Sequence, residues 1–192
     1  MTTTPASPLS LSAAASAASA TSGADGERAD LLETLRLHRD FLRYTVRGLT
    51  DEQAGRRTTV SELCLGALIK HVAATERQWT AFVVAGPSAI GDFTEESAEL
   101  RQEWADDLRM LPGDTLAGLL AEYAEVARRT EEIVAGLDGL GHSHPLPAAP
   151  WFAPGARWSA RRTLLHIIAE TAQHAGHADI IREALDGQKT MG

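Results

Sequence analysis

From Glu27 onward, apolar residues recur at alternating steps of four and three. No other feature constrains the fold of this chain as tightly. In the first such segment the stripe runs through Leu31, Leu35, His38, Leu42, Thr45 and Leu49. That spacing gathers one apolar face on a helix, and the face must be covered by other helices. The segment ends at Gly48–Glu52, where Thr50 and Asp51 can cap a short following turn. A second helix is expected from Ser61, as N-cap ahead of Glu62, to Ala85 before the Gly86-Pro87 stop. Its stripe holds Cys64, Leu68, His71, Thr75, Gln78 and Phe82. A third is expected from Thr115, with Asp114 as N-cap, to about Leu137. It carries Leu116, Leu119, Leu120, Tyr123, Val126, Ala127 and Ile133 on its apolar side. A last helix, capped by Ser159, should run from Ala160 to Leu185 and stop at Asp186-Gly187, with Ile167, Glu170, His174, His177 and Ile181 facing inward. Four helices of about 20 residues, about 30 Å each, make an all-α four-helix bundle. Its second and third helices are joined by an extended acidic connection, in which Trp104 and Leu108 mark a short helix across the bundle. No segment shows a convincing strand alternation. The loop from Gly139 to Trp158 is long and rich in Gly, Pro, Trp and His, as functional loops often are.

At 192 residues, one domain over residues 27–188 and a tail over 1–26 account for the chain. The tail is rich in Ala, Ser and Thr, with almost no large apolar residue and no Arg before Arg28. It is expected to be disordered, because it cannot bury enough surface to offset its ordering entropy. It lacks the positive start and longer apolar core of a secretory signal. The net charge of −8 argues against a nucleic-acid partner. No apolar run reaches the roughly 20 residues that cross a bilayer. Cys64 is the only cysteine, which excludes a disulfide framework and a cysteine-based zinc site. A soluble cytoplasmic protein is expected, and pairing of helix faces makes a homodimer compatible with the pattern.

Two polar residues stand in the last apolar stripe. Glu170 and His174 are four apart, so their side chains emerge one turn apart on one face. A buried carboxylate needs a partner, because an unpaired buried charge costs on the order of several kcal/mol. A divalent metal is one such partner, and His71 is the best candidate for a third ligand from a facing helix. Two histidines and a carboxylate suit zinc, and equally iron, nickel or manganese. His177, three residues beyond His174, can stand in for Glu170 as a ligand or line the pocket. His166, Glu170 and His174 form a ladder of about 12 Å, too long for one ion to hold all three. His38 reads as a core histidine, and the loop residues His142 and His144 are better placed for substrate contact than for ligation. Cys64 lies about 10 Å from His71 along its helix, as a buried structural cysteine. Trp79, Trp151, Phe152 and Trp158 can shape a pocket mouth. No serine–histidine–aspartate set, nucleophilic cysteine or phosphate-cradling glycine loop is evident.

The chain resembles the DinB/YfiT-like superfamily of metal-binding four-helix bundles, and within it the mini-circle protein branch. The resemblance rests on Leu49–Gln53, Leu68–Trp79 and Pro112–Leu116, and most specifically on Leu164–Glu183 with Asp186-Gly187. It spans about residues 28 to 188. It implies a divalent metal, zinc foremost, at His71, Glu170 and His174. Many members carry a histidine at the position of Glu170, while those resembling mycothiol-dependent maleylpyruvate isomerase carry glutamate. The carboxylate would make the centre less electrophilic than three histidines. The resemblance further implies a low-molecular-weight thiol cosubstrate, of mycothiol or bacillithiol type, in an S-transferase or isomerase acting on small electrophiles. Two alternatives stand beside it: water activation by the same centre in a hydrolase, and a non-catalytic bundle in which His71 and Glu170 pair directly.

Overall fold

The computed structural model describes residues 9–91, 102 and 105–190, with side chains in these ranges from residue 25 onward. Its long helices are α1 (Leu9–Thr45), α3 (Leu65–Ala85), α4 (Leu116–Ala135) and α5 (Ala160–Asp186), with a single-turn α2 (Asp51–Ala54) between α1 and α3. Side-chain pairing fixes their directions. Glu27 meets Arg161, and Arg182 reaches the Thr45 carbonyl, so α1 and α5 run parallel. Arg28 donates to the Leu137 carbonyl and Arg36 pairs with Glu131, so α1 and α4 are antiparallel. Lys70 pairs with Asp114, and Thr80 meets Thr130, so α3 and α4 run parallel. The order is therefore up, down, down, up. Two consecutive helices in one direction require a connection that returns the length of the bundle, which is the extended connection expected between them. Within it, residue 102 and residues 105–107 are helical, while Trp104 lies outside the described residues.

The core falls into two apolar clusters. One holds Leu42, Val46, Leu68, Val72, Tyr123 and Ile181, and the other Leu35, Trp79, Phe82, Val134, Leu164 and Ile167. Between them lies a polar layer. Arg39 on α1 donates to Glu76 on α3 through Nε (3.0 Å to Oε2) and a terminal nitrogen (2.5 Å to Oε1), and Thr130 on α4 donates to Glu76 Oε1 at 2.7 Å. Arg39 is 1% exposed and Glu76 0%, so the ion pair is shut away from water.

Local chemistry explains where the helices begin. Thr50 forms a capping box with Gln53, which nucleates α2. Ser61 does not start α3: its hydroxyl accepts from Leu63 N–H in a local turn, and the helix begins four residues later after Cys64. Thr115, rather than Asp114, caps α4 by accepting from Gly118 N–H, while Asp114 is drawn away to Leu111 N–H and Lys70. Ser159 caps α5 as expected, and Gly187 ends it at φ 78°, in the left-handed region.

Two further expectations change. The Gly139–Trp158 loop contains an antiparallel hairpin of β1 (Ser143–Pro145) and β2 (Arg157–Ser159). Three-residue strands are too short to show an alternation in sequence. The first helix starts at Leu9 rather than Glu27. Once α1 is anchored in the bundle, adding helical turns to an Ala-rich stretch is cheap, since nucleation has already been met. Among the described side chains of α1, Glu27 pairs with Arg161 and Arg28 donates to the Leu137 carbonyl. Residues 1–8 of the expected tail lie outside the described residues.

Candidate metal centre

α3 and α5 lie against each other in opposite directions, so that His71 meets His174 and, two turns on, Trp79 meets His166. The His71 and His174 rings stand 4.8 Å apart, edge to face. His174 Nε2 lies 3.6 Å from Glu170 Oε2. One donor atom from each of His71, Glu170 and His174 falls within 4.8 Å of the others, in a half-buried group. The i, i+4 spacing on α5 and the facing position on α3 thus bring together the three residues singled out from the sequence.

The electrostatics favour free lone pairs. Burial, followed by the neighbouring His71, pushes the His174 pKa down to about 4, and its imidazole is neutral at neutral pH. The His71 Nδ1 atom is buried without a hydrogen-bond partner among the described residues. Such an orphan costs stability unless something binds it. Glu170 makes its ion-pair contacts with His174 and, at 4.0 Å, with His166, not with His71 as a purely structural core pair would require. Two imidazole nitrogens and one carboxylate oxygen are a donor set that zinc, nickel, iron and manganese accept.

The other candidates take separate positions. His177 approaches the far side of His174, Nδ1 to Nδ1 at 3.4 Å, and is outside the three-donor group. His166 sits beside Glu170 with its ring edge-on to Trp79 and Trp158, and burial holds its pKa below the usual imidazole value. His38 packs near Phe41 on α1. Cys64 is buried at the start of α3. Trp79 and Trp158 stack at 4.8 Å, Phe152 meets Trp158 edge-on, and Arg162 lies over the Trp158 ring. These rings form an aromatic wall next to His166, at one side of the centre. His142 and His144 pair with each other on the hairpin.

Sequence reasoning passed over Arg39, Glu76 and Arg182. A signal was available for Arg39, because Leu35, Arg39, Leu42 and Val46 keep the same four–three–four step as the core. Glu76 likewise continues Ile69, Val72 and Ala73 on the buried side of α3.

A profile of the mycothiol S-transferase family matches residues 30–187. No curated protein matches the chain by sequence. Among solved structures, a histidine-to-alanine mutant of mycothiol-dependent maleylpyruvate isomerase superposes with a TM-score of 0.55 at 17% identity, covering 78% of this chain and 59% of that one. The chain thus spans under two thirds of the isomerase. A conserved protein from Enterococcus faecalis superposes equally well, at 17% identity, over 82% of this chain and 96% of that one. At such identities the two structures speak for the fold alone. The family profile goes further, because it covers nearly the whole bundle: the chain belongs to the mycothiol S-transferase family, within the DinB/YfiT-like four-helix bundles.

Proposed function

We propose that the protein is a divalent-metal-dependent enzyme that transfers a low-molecular-weight thiol of the mycothiol type onto a small electrophile. His71, Glu170 and His174 would hold the metal. The observation that carries this reading is the convergence of their three donor atoms within 4.8 Å, with a buried His71 nitrogen that has no partner among the described residues. Family membership supplies the class of cosubstrate. When bound at such a centre, a divalent ion stabilises the thiol as its thiolate, the nucleophilic form.

The chain's own residues supply the rest. His71 and His174 present imidazole nitrogens from two helices whose packing fixes their separation. Glu170 contributes a negative charge, which moderates the electrophilicity of the centre. His166, kept neutral by burial, stands next to Glu170 with Nε2 able to take the thiol proton. The wall of Trp79, Trp158 and Phe152 gives an apolar surface against which a small electrophile is held away from water. The sulfur lone pair then forms the new carbon–sulfur bond, and the displaced bonding pair leaves with the leaving group or, in an isomerisation, moves into the substrate.

The test is elemental analysis of the purified chain, combined with an assay of mycothiol and bacillithiol consumption against a panel of electrophiles. Stoichiometric metal and turnover are expected in the wild type, with both lost in His71→Ala, His174→Ala. Metal retained undiminished by that double variant would overturn the ligand assignment. Metal present with no thiol consumed across the panel would overturn the transferase reading.

A further inference from the structure

We infer that His142 and His144 form a second divalent transition-metal site, of the kind that copper(II) or nickel(II) occupies, at the end of the bundle remote from His71. His144 packs near Phe82 and Gly86, at the C-terminal end of α3. Gly86 lies fifteen residues beyond His71, about 22 Å along the helix, so this pair cannot share the first centre.

The two histidines flank Ser143, and residues two apart on an extended strand project from the same face. Their Nε2 atoms stand 2.9 Å apart, with ring centroids 4.5 Å apart and planes at 86°. At a metal–nitrogen distance of about 2.0–2.1 Å, nitrogens in adjacent corners of a square-planar or tetragonal ion lie roughly 2.9 Å apart, whereas tetrahedral neighbours lie roughly 3.4 Å apart. Without an ion this spacing is that of a hydrogen bond between the two rings, and it is also the separation that a tetragonal ion could take up by displacing the shared proton.

The seat is also built. The His142 carbonyl accepts from Ala160 N–H at 2.8 Å, and His144 is paired in register with Trp158. Both backbones are thereby fixed. The His144 ring occupies space that only glycine leaves open: Gly86 has φ +72°, and a Cβ there would come within 2.8 Å of His144 Nδ1. His142 is exposed beside an open depression of about 550 Å³, whose lining includes Asp138 and Gly141. Water can complete the coordination from that side.

The experiment titrates copper(II) into the tag-free, metal-stripped full-length chain and counts ions bound. Nitrogen coupling is read by electron paramagnetic resonance. Two ions per chain are expected in the wild type, one in His142→Ala, and one in the His71→Ala, His174→Ala variant. The ion left in that double variant should show coupling to imidazole nitrogens, lost when His142→Ala is added. Because His142 is exposed, its removal should leave the circular dichroism spectrum unchanged. Equal stoichiometry in wild type and His142→Ala would overturn the proposal, as would a residual ion without imidazole coupling. Full loss of binding on changing His71 and His174 alone would do the same.

Discussion

The buried ion pair at mid-bundle makes the sharpest prediction about what holds this fold. Replacing Glu76 with alanine removes both acceptors of the Arg39 fork and the acceptor of Thr130. The guanidinium, 1% exposed, is left with Glu131 as its partner at 3.3 Å among the described residues. Breaking a buried pair by removing one member costs about 3–5 kcal/mol. Because Glu131 still offsets part of the charge, the lower end, about 3 kcal/mol, is expected. For a chain of this size each kcal/mol shifts the melting temperature by roughly 2–4 °C, which gives a fall of roughly 6–12 °C. Urea unfolding followed by circular dichroism measures the loss directly, with an unchanged slope. The paired replacement Arg39→Met, Glu76→Leu should recover most of it, since two apolar side chains need no desolvation of charge. A loss below about 1 kcal/mol for Glu76→Ala, or a double variant less stable than the single, would refute this account.

Removing bound metal with a chelator should lower the melting temperature, and zinc restored at a hundred times its dissociation constant should return about 2.7 kcal/mol. His174→Ala should abolish that increment, as read by thermal unfolding with and without zinc. Arg182→Met should cost about 2–4 kcal/mol in urea unfolding, because the Thr45 and Arg47 carbonyls lose donors at 2.7 and 2.9 Å and one of these contacts is fully buried. In acid, the Glu131 carboxyl is held below its usual pKa by hydrogen bonding to Arg36, with the charges of Arg36 and Arg39 adding to the effect. A depressed carboxylate contributes stability that is present above its unfolded value of 4.5 and lost as pH falls through the folded value. Glu131→Gln should therefore flatten the acid limb of a stability–pH curve below about pH 4.5.

The four helices were legible because their apolar stripes repeat at helical spacing, a signal that survives even where polar residues interrupt it. The ends were harder to place. Ser61 and Asp114 have good cap chemistry, but each hydroxyl or carboxylate found a nearer backbone donor, and only three-dimensional turns decide such competitions. The candidate centre was legible in part for the same reason as the helices: Glu170 and His174 break an apolar stripe at a one-turn spacing. That His71 faces them follows from the antiparallel packing of α3 on α5, which no local pattern encodes. The hairpin's strands, three residues each, carry no period at all, so the two-residue spacing of His142 and His144 could not be read as one face of a strand from the sequence alone.

The two systems of buried polar side chains belong to one design. On α3, Glu76 lies five residues beyond His71, roughly 140° around the helix axis. One side of α3 therefore binds Arg39 of α1 and Thr130 of α4, while the other faces α5. On α5, Arg182 lies two turns beyond His174 and donates to carbonyls at the end of α1. Both helices that bear the candidate ligands are thus keyed to α1, which contributes no ligand. Leucine and alanine seams alone tolerate small slips in register, because neighbouring apolar contacts are nearly equivalent. A buried ion pair and a two-carbonyl arginine do not, since a slip would leave a charge or a carbonyl unpaired. The separation of His71 from Glu170 and His174 is consequently set by polar contacts outside the centre, at positions where α1 serves as the common reference.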